Sequence, residues 1–150
     1  MKIINICLIT ILYNMTNNGV SQDIQIPSSY LWKSRVILVF SSDQNDFYQR
    51  QMDIFSANKA GLEERDIVIF SIKKQKVKGP DEKTYRKEEA EQLRKQYQVD
   101  SDTFSVVLIG KDGTEKLQQN ELLSTNKLFA VVDAMPMRRS EMREEENNGN

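Results

Sequence analysis

Between an apolar run and a helical pattern, residues 41–46 read Ser-Ser-Asp-Gln-Asn-Asp. This stretch holds residue types that chemistry uses: hydroxyls that donate or attack, and carboxylates that act as acids and bases. At the start of a helix such groups also face backbone N–H donors that have no partner within the helix, which is a setting for anion binding. The same groups serve as caps and loop solvation, and Ser42, Asp43 or Asn45 suits the cap position. Ser42 and Asp43 are therefore binding candidates, not catalytic ones. Two further pairs join them. Lys111 and Asp112 occupy the turn Gly110-Lys111-Asp112-Gly113, where Asp-Gly supplies the left-handed backbone of a tight hairpin. Arg138 and Arg139 follow Met135-Pro136-Met137. There the methionines suit core closure or a partner surface, and the arginines suit pairing with nearby carboxylates. Glu82, Glu88, Glu89 and Glu91 form an acidic cluster without the rigid loop and Asp-x-Asp spacing that calcium requires, so no metal ligand is assigned.

The excluded chemistries are as informative. The chain of 150 residues has no histidine and one cysteine, Cys7. Cys7 lies in an apolar stretch that follows Met1 and Lys2 and runs from Ile3 to Leu12, the length of a signal-peptide core. Gly19-Val20-Ser21 places small residues at the positions signal peptidase reads, so residues 1–21 are expected to be a signal peptide cut before Gln22. Cys7 lacks the small residues ahead of it that lipidation would need. The mature chain is then expected to lack thiolate and imidazole chemistry, disulfides, and the usual zinc and copper ligands, and no cofactor is assigned. Mass spectrometry of exported material should find an N-terminus at or near Gln22. An intact Met1 on secreted protein would overturn this and return Cys7 to the chemistry. The net charge of −1 gives no basic field for nucleic acid. No apolar run is long enough to span a bilayer as a mature helix.

The elements that hold these candidates follow from periodicity. Residues 22–34 are a lead-in segment, with Trp32 expected over the sheet edge. The apolar runs at 35–40, 66–72 and 104–109 are β-branched and suit strands buried on both faces, with a short return strand at 114–117. Helical spacing predicts helices over about 46–60, with Gly61 just past the end, over 83–97, and over 125–135 with Pro136 as the stop. Lys73 to Asp81 carries four lysines among nine residues and reads as a basic, solvated loop. The folded domain is placed at 35–136 and a charged tail at 137–150. Parallel strands need helical crossovers of right-handed sense.

The order strand–helix–strand–helix–strand–strand–helix resembles the thioredoxin-like fold. WKSRVILVF (32–40), AGLEERDIVIF (60–70), FSVVLIGKDGTEKL (104–117) and DAMPMRRSEMREE (133–145) together resemble an uncharacterised domain family. That family occurs in small exported bacterial proteins and in vertebrate extracellular proteins of the sushi-repeat and equarin type, and is a peroxiredoxin-like offshoot of the thioredoxin superfamily. The resemblance implies an α/β fold with a central four-stranded mixed sheet in the order second, first, third, fourth, the third and fourth strands antiparallel to the first two. It puts the first and last helices on one face and the middle helix on the other. It also implies a redox cysteine at the head of the first helix, where this chain has Ser-Ser-Asp-Gln-Asn-Asp, and a cis-proline at the place held by Phe104. The expectation is an exported, periplasmic or secreted, non-catalytic interaction module whose partner is another exported protein. The alternatives are an enzyme using carboxylate or hydroxyl chemistry at residues 41–46, and a redox protein that retains Cys7.

Overall fold

The computed structural model describes residues 28–42 and 46–149. The signal-peptide reading, Cys7, Asp43 and the lead-in up to residue 27 lie outside the described residues.

The strand β1, Arg35–Phe40, is buried along its whole length. A strand achieves this only with neighbours on both edges and helices on both faces. The chain continues through α1 (Asp46–Ser56) and α2 (Lys59–Glu64) to β2 (Ile67–Lys73), which pairs with β1 in parallel. The short strands β3 (Lys76–Lys78) and β4 (Thr84–Tyr85) precede α3 (Lys87–Gln96). Then come β5 (Ser105–Ile109) and β6 (Glu115–Gln119), an antiparallel hairpin whose β5 pairs antiparallel with β1. The chain closes with α4 (Thr125–Asp133) and α5 (Pro136–Asn148). The sheet order is β4-β3-β2-β1-β5-β6.

Its central four strands have the order that the resemblance implies. Of the two strands expected antiparallel to the first pair, only β5 is so; β6 is antiparallel to β5 and therefore runs parallel to β1. The sheet is nevertheless six-stranded, because β3 lies within the expected basic loop and β4 takes the start of the helix expected over 83–97, which begins only at Lys87. Val77 explains the difference. It is fully buried between Lys76 and Lys78, a single apolar residue in an alternation too short to stand out from a run of lysines.

Alternate residues of β1 feed two cores. Ile37 and Val39 join Phe55, Leu62, Leu128 and Val132 beneath α1, α2 and α4. Val36, Leu38 and Phe40 join Ala90, Leu93 and Tyr97 beneath α3. The first and last expected helices therefore share a face, and the middle one takes the other.

Helix boundaries depart from periodicity for local reasons. The expected helix over 46–60 breaks at Asn58, whose side-chain amide donates to the Ile54 carbonyl at 2.9 Å and competes with the next helical bond. Gly61 is inside α2 rather than past a helix end, and a Cβ there would meet the Phe129 ring at 2.7 Å. Pro136 does not merely stop a helix. It occupies the first turn of α5, where its missing N–H costs nothing, so the charged tail is helical to Asn148. Trp32 does not cover the sheet edge. It is 64% exposed in the left-handed region (φ 63°), its N–H donating to the Lys111 carbonyl at 2.7 Å. The packing expected of it falls to Tyr30, edge-on to Phe70 with ring centroids 5.4 Å apart.

Tyr97 ends α3 with its ring buried against Phe40, and burial, with Glu115 adding to it, pushes the phenol from 10.0 up to about 12. The neutral phenol is thus favoured by folding. Its stabilisation is intact below about pH 10 and is lost as pH rises through about 12. Comparing urea midpoints from pH 9 to 12, Tyr97→Phe should lose less stability than wild type, by on the order of 2–3 kcal/mol at the alkaline end. Parallel curves for the two proteins would contradict the burial argument.

Candidate functional site

The carboxyl end of β1 is where the resemblance implies redox chemistry. Ser41 is buried there. Its N–H donates to the Ile72 carbonyl at 3.0 Å and its hydroxyl to the Ser42 carbonyl at 2.6 Å. The Arg94 guanidinium, reaching from α3, donates to the carbonyls of Ser41 (2.9 Å), Ile72 (3.2 Å) and Asp100 (2.8 Å), tying off the ends of both parallel strands. Among the described residues no carboxylate hydrogen-bonds to either serine. Asp46 is exposed at the start of α1. The next residue, Phe47, stacks on Phe104 with centroids 5.5 Å apart, and the Arg50 guanidinium sits 5.7 Å from its ring. The position implied for the cis-proline therefore supports an aromatic stack, and the head of α1 presents an aromatic surface.

The opposite pole gathers charge. Arg35, at the start of β1, is fully buried. It donates to the Arg65 carbonyl at 2.8 Å and to both carboxylate oxygens of Glu141 at 3.1 Å. Lys111 bridges Asp66 (2.7 Å) and Glu141 (2.8 Å). Arg65 makes a two-pronged contact with Asp133 at 2.9 Å through each nitrogen, its guanidinium 4.3 Å from the Phe129 ring. Arg138, only 1% exposed, reaches Glu64 at 2.7 Å and Glu145 at 3.3 Å, with Asp133 and Glu141 each at 3.7 Å. This network fastens α5 to the end of the sheet.

The sequence candidates divide accordingly. Lys111 and Arg138 meet through Glu141. Arg138 does not leave the core after Pro136, whereas Arg139 is exposed. Asp112 is turned into its own hairpin, accepting from Lys116 at 2.7 Å and from the Thr114 N–H at 3.1 Å. The Lys116 ammonium holds its carboxyl below the usual range. Ser42 sits at the other pole. Of the acidic cluster, Glu89 accepts from the Arg86 N–H at the head of α3, while Glu82 and Glu91 pair with Lys78 and Lys87. Sequence reasoning missed Arg35, Arg65 and Glu141. The one available signal was Arg35 itself, a charge opening an otherwise apolar buried strand.

A groove of about 640 Å³ opens between α1, α2 and the turn after β3. Met52, Phe55, Leu62, Ile67 and Ile69 give it an apolar lining, with Lys59, Glu63, Lys78 and Glu82 also along it. Among the described residues no cluster of three metal-ligating side chains is present, and no helix is long and apolar enough to cross a membrane.

Solved structures share this architecture. The chain is similar to a 2-Cys peroxiredoxin of Plasmodium vivax in its reduced form, at 16% identity and a TM-score of 0.56, over 75% of this chain and 83% of that one. It is also similar to the mitochondrial 2-Cys peroxiredoxin of Plasmodium falciparum, at 16% identity and a TM-score of 0.50, over 71% and 78% of the two chains. At such identity the likeness establishes a thioredoxin-like α/β fold and no activity. No curated protein matches the sequence. The model of a domain of unknown function, DUF4174, matches residues 27–141, from just ahead of the first described residue to the Glu141 that joins Arg35, Lys111 and Arg138, and the chain belongs to that family.

Proposed function

We propose that this is an exported, non-catalytic binding module whose ligand is another exported protein. The groove beside β2 is the observation that carries the reading. It is concave and apolar-lined with charged residues at its margins, the composition of a recognition surface. The residues at the head of α1 agree with it. Ser41 gives its hydroxyl to the Ser42 carbonyl and its N–H to the Ile72 carbonyl, and Phe47, at the head of α1, stacks on Phe104. Cys7 lies in the segment expected to be removed, so thiol chemistry has no nucleophile in the processed chain.

Two measurements test this. Protein beginning at Gln22 should neither reduce insulin disulfides nor consume hydrogen peroxide above the buffer rate. Clear turnover by a preparation free of contaminating oxidoreductase would defeat the non-catalytic reading. The binding reading is tested by affinity capture from the exported fraction of the native cell, comparing wild type with Ser56→Arg. Ser56 is exposed on the groove wall, so arginine obstructs the groove without entering the core. A partner held by wild type and lost by the variant supports the module. Equal capture by both would remove the groove from the account.

A further inference from the structure

The groove runs along a stretch of sheet edge that the chain leaves unpaired. In the parallel ladder with β1, the Arg35 N–H donates to the Asp66 carbonyl and the Ser41 N–H to the Ile72 carbonyl. Even-numbered residues of β2 therefore face β1, and Ile67, Ile69, Ser71 and Lys73 direct their N–H and C=O groups to the other side. There β3 pairs only with Ser71, Ile72 and Lys73. Extending its register would bring Pro80 opposite Ile69. Proline has no N–H to give, and the chain turns back at Gly79 into the hairpin with β4. Among the described residues nothing hydrogen-bonds to the N–H or C=O of Ile67 or Ile69. Their side chains lie on the groove face, with Met52, Phe55 and Leu62 as the facing wall.

We propose that this edge binds an extended peptide segment of a partner protein by strand addition: the segment pairs with Ile67 and Ile69, sets apolar side chains against Met52, Phe55 and Leu62, and carries an acidic residue at the Lys78 end. The proposal rests on the binding-module reading and specifies its ligand. Unpaired N–H and C=O groups in alternation select a strand, since a helix has satisfied its own backbone groups. The apolar wall selects the side chains that share the groove face, which recur every second residue. Charge complementarity selects the flank. The register places Lys73, Lys76 and Lys78 on the groove face. Among the described residues the one carboxylate paired with these three lysines is that of Glu82, on Lys78, while Lys73 rests over the Tyr48 ring at 4.6 Å.

The probe is a capped peptide, Glu-Thr-Leu-Thr-Leu-Thr-Glu, whose side-chain pattern reads the same in both directions and so serves either strand polarity. Amide exchange followed by NMR on the protein starting at Gln22, with the peptide at millimolar concentration, should show exchange at Ile67 and Ile69 slowed by about tenfold or more. Methylating the central backbone nitrogens of the peptide should weaken binding by about tenfold, because strand pairing is lost while the apolar surface remains. Lys78→Glu, a change at an exposed side chain, should reverse the preference between this peptide and its counterpart with lysine at both ends. Unchanged exchange at Ile67 and Ile69, or equal binding of the methylated peptide, would overturn strand addition. So would protection of both amides in the free protein through pairing with a second copy, visible as a dimer by sedimentation. If any of these occurs while Ser56→Arg still abolishes partner capture, the binding module stands and the strand mechanism falls.

Discussion

Arg138→Ala should lower the urea midpoint sharply, whereas Arg139→Ala, one residue away, should leave it nearly unchanged. The two arginines are adjacent in sequence and opposite in setting. Arg139 is exposed, and a surface substitution of this kind changes stability by less than about 0.5 kcal/mol. Arg138 is 1% exposed and, among the described residues, is the only cation that reaches both Glu64 on α2 and Glu145 on α5. Truncating it removes the packed stem of the side chain and leaves Asp133 and Glu141 with fewer counter-charges in a partly enclosed site. Breaking a buried pair typically costs about 3–5 kcal/mol. The lower end applies here, since Glu64 and Glu145 are more than half exposed and regain water, and Arg35 and Lys111 still face Glu141. The loss should appear as a lower midpoint. Amides of α5 should exchange faster in the variant, because the helix has little apolar surface with which to hold on. A wild-type midpoint for Arg138→Ala would mean that α5 is held by something other than this network, and would return Arg138 to the list of surfaces open to a partner.

The same residue shows where sequence reading stops. Strand β1 was legible to the residue, because six consecutive apolar or flanking positions between polar stretches admit little else, and β5 and the turn at 110–113 were nearly as clear. The two-faced arrangement of helices followed from family resemblance and from narrow apolar stripes such as Ala90, Leu93 and Tyr97. Strands β3 and β4 were illegible because pairing with β2, not their own composition, makes them strands. The charge network was illegible for a related reason. Arg35, Arg65, Lys111, Arg138 and Glu141 are separated by up to 106 positions, and nothing in a run of Met-Arg-Arg-Ser-Glu says which arginine turns inward. Helix periodicity decides it once Pro136 has fixed the start of α5. Arg138 and Glu141 then lie three apart on one face, and Arg139 points away. The groove could not be read from sequence either, since its edge depends on Pro80 falling opposite Ile69 in a register that only the sheet defines.

Gln51→Leu should destabilise the domain by about 3 kcal/mol, although leucine has nearly the volume of glutamine and the site is buried among apolar side chains. Gln51 lies on the inner face of α1 and is fully buried. Its side-chain amide makes a reciprocal pair with the backbone of Leu123. The Gln51 Nε2 donates to the Leu123 carbonyl at 2.9 Å, and the Leu123 N–H donates to Oε1 at 2.7 Å. Leu123 lies between β6 and α4 and is itself fully buried, and among the described residues nothing else bonds to these groups. Leucine at position 51 would leave one donor and one acceptor enclosed without water, and an orphaned buried group costs about 1–3 kcal/mol. The hydrophobic gain from the substitution does not offset this, because the groups left behind belong to the other segment. Gln49→Leu supplies the control: its amide contacts Asp53 at 2.8 Å on the exposed face, and its loss should change stability by less than about 0.5 kcal/mol. Gln51→Glu separates the two halves of the pair. It keeps the acceptor for the Leu123 N–H but loses the donor and adds a buried charge, so it should be more damaging at pH 7 than at pH 4, where the carboxyl is closer to neutral. Urea midpoints for the three variants, with exchange of the Leu123 amide, check the whole argument. A wild-type midpoint for Gln51→Leu, with the Leu123 amide still protected, would show that the loop finds other partners and that this pair does not join α1 to the segment leading into α4.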